Sequence, residues 1–255
     1  MCILEWGNSM EKADNENFFD VNKRIIERHI NAGMELVTAN YEIKEVETGE
    51  FANIQIQGID YKIKQYDICG VGNLLVMDSR NSNKLQMVSF VITPYYKALP
   101  LFSTDYIYMQ EKRSFLIEYY DLVPKKDELY LNYMDRLAGL KEQHNHLEDM
   151  VLRECWYDSL KPVCTAKKAD KLKDIEISSM FAANLKLFIE MEKGSTLYTE
   201  EERKQKWRIT QDYTDGLVDN GGVSTNVFKA IMGVDGTKKF FNDVFFGTSS
   251  CENCK

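Results

Sequence analysis

Residues 84–124, KLQMVSFVITPYYKALPLFSTDYIYMQEKRSFLIEYYDLVP, constrain the fold more than any other part of this chain, because they set three strand-forming runs end to end. The runs 85–93, 104–109 and 114–121 are rich in β-branched and aromatic residues. Turn-prone pieces around Pro94, Pro100 and Gln110-Glu111-Lys112-Arg113 separate them. Connections this short reverse the chain, so the three runs read as an antiparallel meander. One carboxylate interrupts them. Asp105 lies between Phe102 and Tyr106, and since aspartate is depleted in strands it either faces water or works inside a pocket.

The same punctuation continues upstream. Short β-rich runs at 41–46, 53–57, 61–68 and 73–78 are divided by Thr48-Gly49, Gly58 and Gly70-Val71-Gly72, which predicts about seven strands in one antiparallel sheet over 41–121. Before them, Phe18, Val21, Ile25, Ile26, Ile30, Met34 and Leu36 recur at helical spacing and predict an amphipathic helix over 17–38. After Pro124 the pattern is helical to the end. Asp127 can cap a helix to 141, segments 146–160 and 174–192 follow, and Thr199 with Glu202 makes a capping box for a helix to 218 that Asp219-Asn220-Gly221-Gly222 breaks. A sheet between helices predicts an α+β fold, a three-layer α/β/α sandwich with 17–38 on one face and the later helices on the other.

At 255 residues, 44% hydrophobic and 12% aromatic, the chain can bury a full core, and with no Pro- or Gly/Ser-rich linker it reads as a single domain, 1–255. Residues 1–16 and 248–255 are expected to be mobile tails. The opening segment is too acidic and too short in apolar length for a signal peptide, and no apolar run reaches bilayer length; the expectation is a cytoplasmic protein with no membrane partner. The six cysteines then read as reduced thiols, and Cys251-Glu252-Asn253-Cys254 lacks a second ligand pair for zinc. A net charge of −8 without a basic stripe argues against nucleic acid. His144-Asn145-His146 reads as a solvated loop and His29 as a helix residue, so no metal site is expected.

Two further blocks extend the pattern of 84–124. Leu99-Pro100-Leu101-Phe102-Ser103-Thr104-Asp105 is followed by a strand closing on Asp121-Leu122-Val123-Pro124, and the C-terminus runs from Asn226 through Gly233 to the aromatic Phe240-Phe241 and Phe245-Phe246. In these blocks the chain resembles the ferredoxin-dependent bilin reductases, a superfamily that includes red chlorophyll catabolite reductase. The resemblance implies the same α/β/α arrangement and an oxidoreductase that reduces a linear tetrapyrrole such as biliverdin. It implies no bound flavin or metal, with single electrons taken from ferredoxin or flavodoxin and protons from pocket residues. Consistently, no phosphate-cradling glycine motif is present.

By its place in the family motif Asp105 is the expected catalytic proton donor, a role that needs a carboxyl raised by burial. Aligned through Pro94, Ser89 stands where the family commonly has His or Asn, and serine can orient a substrate but does not titrate near neutrality. The family's Glu one strand earlier falls in the region of Met77-Asp78, which makes Asp78 a substrate-binding candidate. Asp219 is the nearest candidate for a second catalytic acid before the closing helices, and also reads as a plain turn residue. A pigment with two propionates calls for a cation, for which Arg113 is the choice among Arg113, Lys112, Arg80 and Lys84. Arg203, Lys204, Lys206 and Arg208, with Lys167, Lys168, Lys171 and Lys173, are candidates for docking an acidic electron donor. Two alternatives stand beside the bilin reductase: a reductase of a chlorophyll- or haem-derived open-chain catabolite, and a tetrapyrrole carrier or sensor without turnover.

Overall fold

The computed structural model describes residues 17–222 and 225–250. Asn17 opens the first helix by accepting a hydrogen bond from the Phe19 amide, which satisfies one of the donors a helix start leaves bare. From there α1 (Phe18–Thr38) turns Asn22, Ile26, His29, Ile30, Gly33 and Val37 inward. All seven expected runs of 41–121 form strands: β1 (Ile43–Val46), β2 (Asn53–Ile56), β3 (Ile59–Ile68), β4 (Gly72–Asp78), β5 (Gln86–Pro94), β6 (Leu101–Met109) and β7 (Lys112–Tyr120). Their pairings are antiparallel. Glycine is required where β4 begins, since Gly72 has φ 148° and a Cβ there would lie 2.1 Å from the Thr93 carbonyl oxygen.

The sheet is larger than expected. Beyond β7 come β9 (Val163–Asp170) and β8 (Glu148–Asp149), so that nine strands run in the order β1-β3-β4-β5-β6-β7-β9-β8, with β2 paired to β3. The helix expected over 146–160 is absent; those residues form β8, a loop and one short helical turn at Asp158–Leu160. A buried lysine hides β9 in the sequence. Val163, Thr165 and Lys167 form its inward set, and Lys167 is held there by Asp149 and the Leu147 carbonyl, so the alternation reads as polar.

Among the described residues four further α-helices complete the fold: α2 (Glu128–Glu142), capped by Asp127; α3 (Asp174–Gly194); α4 (Glu200–Asp219), with the Thr199/Glu202 capping box formed; and α5 (Thr225–Phe240), interrupted at Gly233 with φ 71° and followed by one wider turn over Phe241–Phe245. The three-layer sandwich is present, with a different allotment of helices. α2 and α3 join α1 on the first face, where Phe90, Phe102 and Phe115 pack with Phe181 and Phe188. Among the described helices α4 and α5, with the turn that follows α5, cover the second face, packing Tyr213, Phe228, Phe240 and Phe241 on Leu75, Val91, Leu101 and Tyr120. Of the expected tails, Thr248 is buried and its carbonyl accepts the Trp207 indole N–H; residues 1–16 and 251–255, with Cys251 and Cys254, lie outside the described residues. Among the described residues no helix is long and apolar enough to cross a membrane.

Candidate functional site

In register across antiparallel strands, facing residues share one side of the sheet. On the α4/α5 side this produces three parallel rows. Leu75, Val91, Ser103, Glu118 and Cys164 form the row nearest the helices; Met77, Ser89, Asp105, Leu116 and Ala166 form the next; Met87, Ile107, Ser114 and Lys168 form the third. Exposure rises from row to row. Leu75, Val91 and Glu118 are buried, Asp105, Leu116 and Ala166 are half-buried, and Lys168 is exposed. The helices lie over the end of the sheet where β5 stops and β6 starts, because Lys206 of α4 donates to the Leu99 carbonyl and Asn73 of β4 donates to the carbonyls of Val244 and Phe245. Beyond them Met87, Ile107, Leu116 and Ala166 form a half-buried apolar strip, with Met87 packed against the edge of the core beneath these helices. With strands about 4.8 Å apart, the five-residue row through Asp105 is about 19 Å long.

Asp105 sits at the edge between covered and open sheet. Its carboxylate accepts a short hydrogen bond from the Ser89 hydroxyl directly across the ladder. Removal from water pushes the Asp105 carboxyl up to about 6; the Ser89 hydrogen bond works against that rise and the nearby Glu118 works with it. The two residues that the sequence singles out as a pair are therefore brought together.

The remaining candidates are placed elsewhere. Register decides between Met77 and Asp78: Met77 stands opposite Ser89, whereas Asp78 stands opposite Val88 on the α1 side, where Arg80 binds it at 2.6 and 2.7 Å. Arg113 shares its face with Phe115 and Ile117 and is also on the α1 side. It is buried in a bidentate pair with Asp174, at 2.6 and 2.9 Å, with its guanidinium 5.0 Å from the Tyr108 ring centre. Asp219 ends α4 in solvent and pairs with Lys238 at 2.9 Å. The basic run of α4 is split as well, since Lys204 pairs with Glu200 while Lys206 is fully buried, with an amine that burial lowers to about 7. Lys168, Lys171 and Lys173 remain at the surface, paired with Glu148, Glu111 and Glu176. His144 and His146 both reach Glu176, at 3.3 and 2.6 Å.

Sequence reasoning missed Glu118. It accepts from the Tyr120 hydroxyl at 2.9 Å and from Lys161 Nζ at 2.9 Å, and Lys161 also reaches Asp158 at 3.1 Å. An acid inside a strand was the signal that exposed Asp105, and Glu118 carries the same signal. Trp156 is a second omission. Its ring lies so close over α4 that a Cβ on Gly216 would come within 2.6 Å, and its indole N–H donates to the Gly221 carbonyl at 2.8 Å, fixing a half-exposed aromatic wall beside Tyr213. Two concavities of about 450 and 600 Å³ lie against the loop at Glu47, Thr48 and Gly49. Their charged side chains, Glu47 and Glu50 among them, stay in solvent, so the strip beside Asp105 is the better site on chemical grounds.

No family model and no curated protein sequence matches the chain. Among solved structures it is similar to phytochromobilin synthase from tomato in complex with biliverdin, with a TM-score of 0.72 at 11% sequence identity, covering 88% of this chain and 84% of that one. The likeness establishes a shared fold, a large antiparallel sheet flanked by helices.

Proposed function

We propose that this chain is an oxidoreductase that reduces a linear tetrapyrrole of the biliverdin kind, taking electrons one at a time from an external ferredoxin or flavodoxin while Asp105 supplies protons. The observation that carries this reading is the place of Asp105, a desolvated carboxyl titrating near 6 at the margin of an open apolar strip. A flat pigment laid on the strip would bury its rings against Met87, Ile107 and Leu116 and bring its pyrrole nitrogens to the Asp105–Ser89 pair. Reduction of one double bond takes up two electrons and two protons; Asp105 delivers a proton and regains one from water at the open side. The exposed Lys112 and Lys168 stand on the same face at the far end of the strip, where propionates would reach solvent. The biliverdin complex of the similar solved structure supports the ligand class. No flavin or metal is assigned to the chain, and the reaction is placed in the cytoplasm.

A carrier reading has its own support: Met77 and Ser89, the residues flanking Asp105 on β4 and β5, cannot exchange protons near neutrality. Biliverdin added to the protein, with and without photoreduced ferredoxin, separates the two. Loss of the biliverdin absorption under reduction, with a new pigment band, supports the reductase. A shifted but persistent biliverdin spectrum supports the carrier, and an unshifted one removes the bilin reading.

A further inference from the structure

Glu118 is buried, and both of its carboxylate oxygens are engaged. Lys161 and Cys164 face one oxygen, at 2.9 and 3.7 Å, and Tyr120 donates to the other at 2.9 Å. The Tyr120 ring in turn packs against Tyr213 of α4, with ring centres 5.1 Å apart. Lys161 lies over the rings of Tyr120 and Tyr157, and although burial alone would lower its ammonium, Glu118 and Asp158 raise it. This clamp fixes the carboxylate in the row adjoining Asp105, diagonal to it across the β6–β7 ladder.

We infer that Glu118 is a positioning residue for Asp105, a clamped negative charge on the same sheet face that keeps the proton on Asp105 where it meets the open strip. The inference rests on the reading of Asp105 as a proton donor. The groups around the pair are few. Ser89 faces Asp105 from β5; Cys164 faces Glu118 from β9; Lys161 and Asp158 come from the turn before β9, Tyr120 from β7, and Tyr213 from α4 with Cys155 beside it. Lys141 of α2 approaches Cys164. Of these, Ser89 favours the ionised form of Asp105, and Glu118 alone adds negative charge that opposes it. Lys161 and Tyr120 anchor the Glu118 carboxylate in place, whereas Asp105 on the same face has the Ser89 hydroxyl as its hydrogen-bond partner.

The test needs no pigment. Protein labelled with carbon-13 at aspartate carboxyl carbons is titrated by NMR, the Asp105 resonance being the one lost in D105N. In E118Q the Asp105 midpoint moves to lower pH and the protonated fraction at pH 7 falls several-fold; in Y120F, which keeps the charge and loses one clamp hydrogen bond, the midpoint does not fall. An unmoved midpoint in E118Q, or an equal fall in Y120F, overturns the inference. Should E118Q not fold because Lys161 loses a partner, E118Q/K161M is compared with K161M, so that the loss of the Lys161 cation is common to both and the Asp105 midpoint must lie lower in the double variant. Because the titration is read on the free protein, a chain that neither binds nor reduces biliverdin still answers it, and failure of the bilin reading remains a separate result.

Discussion

On the α1 side of the sheet the rows are closed by rings, Phe90 against Phe181 and Phe102 against Phe188, whereas on the α4/α5 side the helices stop short and leave Asp105 at the margin of open strands. Each side sets a desolvated titratable group beside the middle of β6. On the closed side His29 stacks on Phe181 at 3.9 Å and contacts the Tyr106 ring at 4.3 Å, and neither ring nitrogen meets a protein hydrogen-bond partner. On the open side Asp105, the residue next to Tyr106, has a hydroxyl partner and a path to water. Burial without a partner makes a group inert, and burial with a partner and a solvent edge makes it usable.

The comparison breaks first on turnover. Asp105→Asn keeps the shape of the side chain and removes the proton, so reduction of biliverdin in single-turnover assays is expected to fall on the order of 10²–10⁴-fold with pigment binding retained. His29→Phe, on the other face, leaves the rate unchanged. Wild-type turnover by the Asp105→Asn variant would take this residue out of the chemistry, and the open face would lose its claim to be the site.

Stability against pH sharpens the contrast, because the two groups act in opposite directions. Burial lowers the His29 imidazole to about 3, below its ordinary 6.5, so the unfolded chain binds the proton first; stability is full above 6.5 and is lost as pH falls toward 3, by an amount on the order of 4–5 kcal/mol. His29→Phe should flatten this acid limb in urea melts between pH 7 and 4. Asp105 is raised, so the folded chain holds its proton longer. Stability is present below its ordinary value of 3.8 and is lost as pH rises through about 6, by about 2–3 kcal/mol. Asp105→Asn should therefore stabilise the protein at pH 8 and give no gain at pH 4. A variant equally stabilised at both values would mean that the carboxyl is not desolvated in the folded state.

What the sequence discloses follows the same division. The seven strands of 41–121 are legible because glycine or proline turns bound each run, and Asp105 with Ser89 is legible because both stand within distinctive strand patterns. Face assignment at the ends of strands is not. A shift of one residue moves a side chain to the other side of a sheet, and that one step separates Met77 from Asp78 and Arg113 from the open strip. Glu118 carries a visible signal of its own, but Lys161 and Cys164, which clamp it, come from β9 and the turn before it, and a buried lysine conceals that strand.

The smallest expected effect lies in the Asp105–Ser89 hydrogen bond. The Ser89 hydroxyl donates to the carboxylate and so favours its ionised form, in opposition to burial and Glu118. Ser89→Ala removes that donor and leaves Asp105 a stronger holder of its proton. Its pH–rate profile should then move to higher pH, while the rate on the acid side changes by no more than one neutral hydrogen bond, about 0.5–1.5 kcal/mol or roughly 2- to 12-fold. The direction is the decisive part. If serine only filled space, the profile would keep its midpoint and scale down uniformly; if serine itself relayed the proton, Ser89→Ala would lose as much as Asp105→Asn. A shift toward alkaline pH with a modest change in rate is the outcome that assigns proton exchange to Asp105 and orientation to Ser89, and titration of the Asp105 carboxyl in the free variant separates that shift from any change in pigment binding.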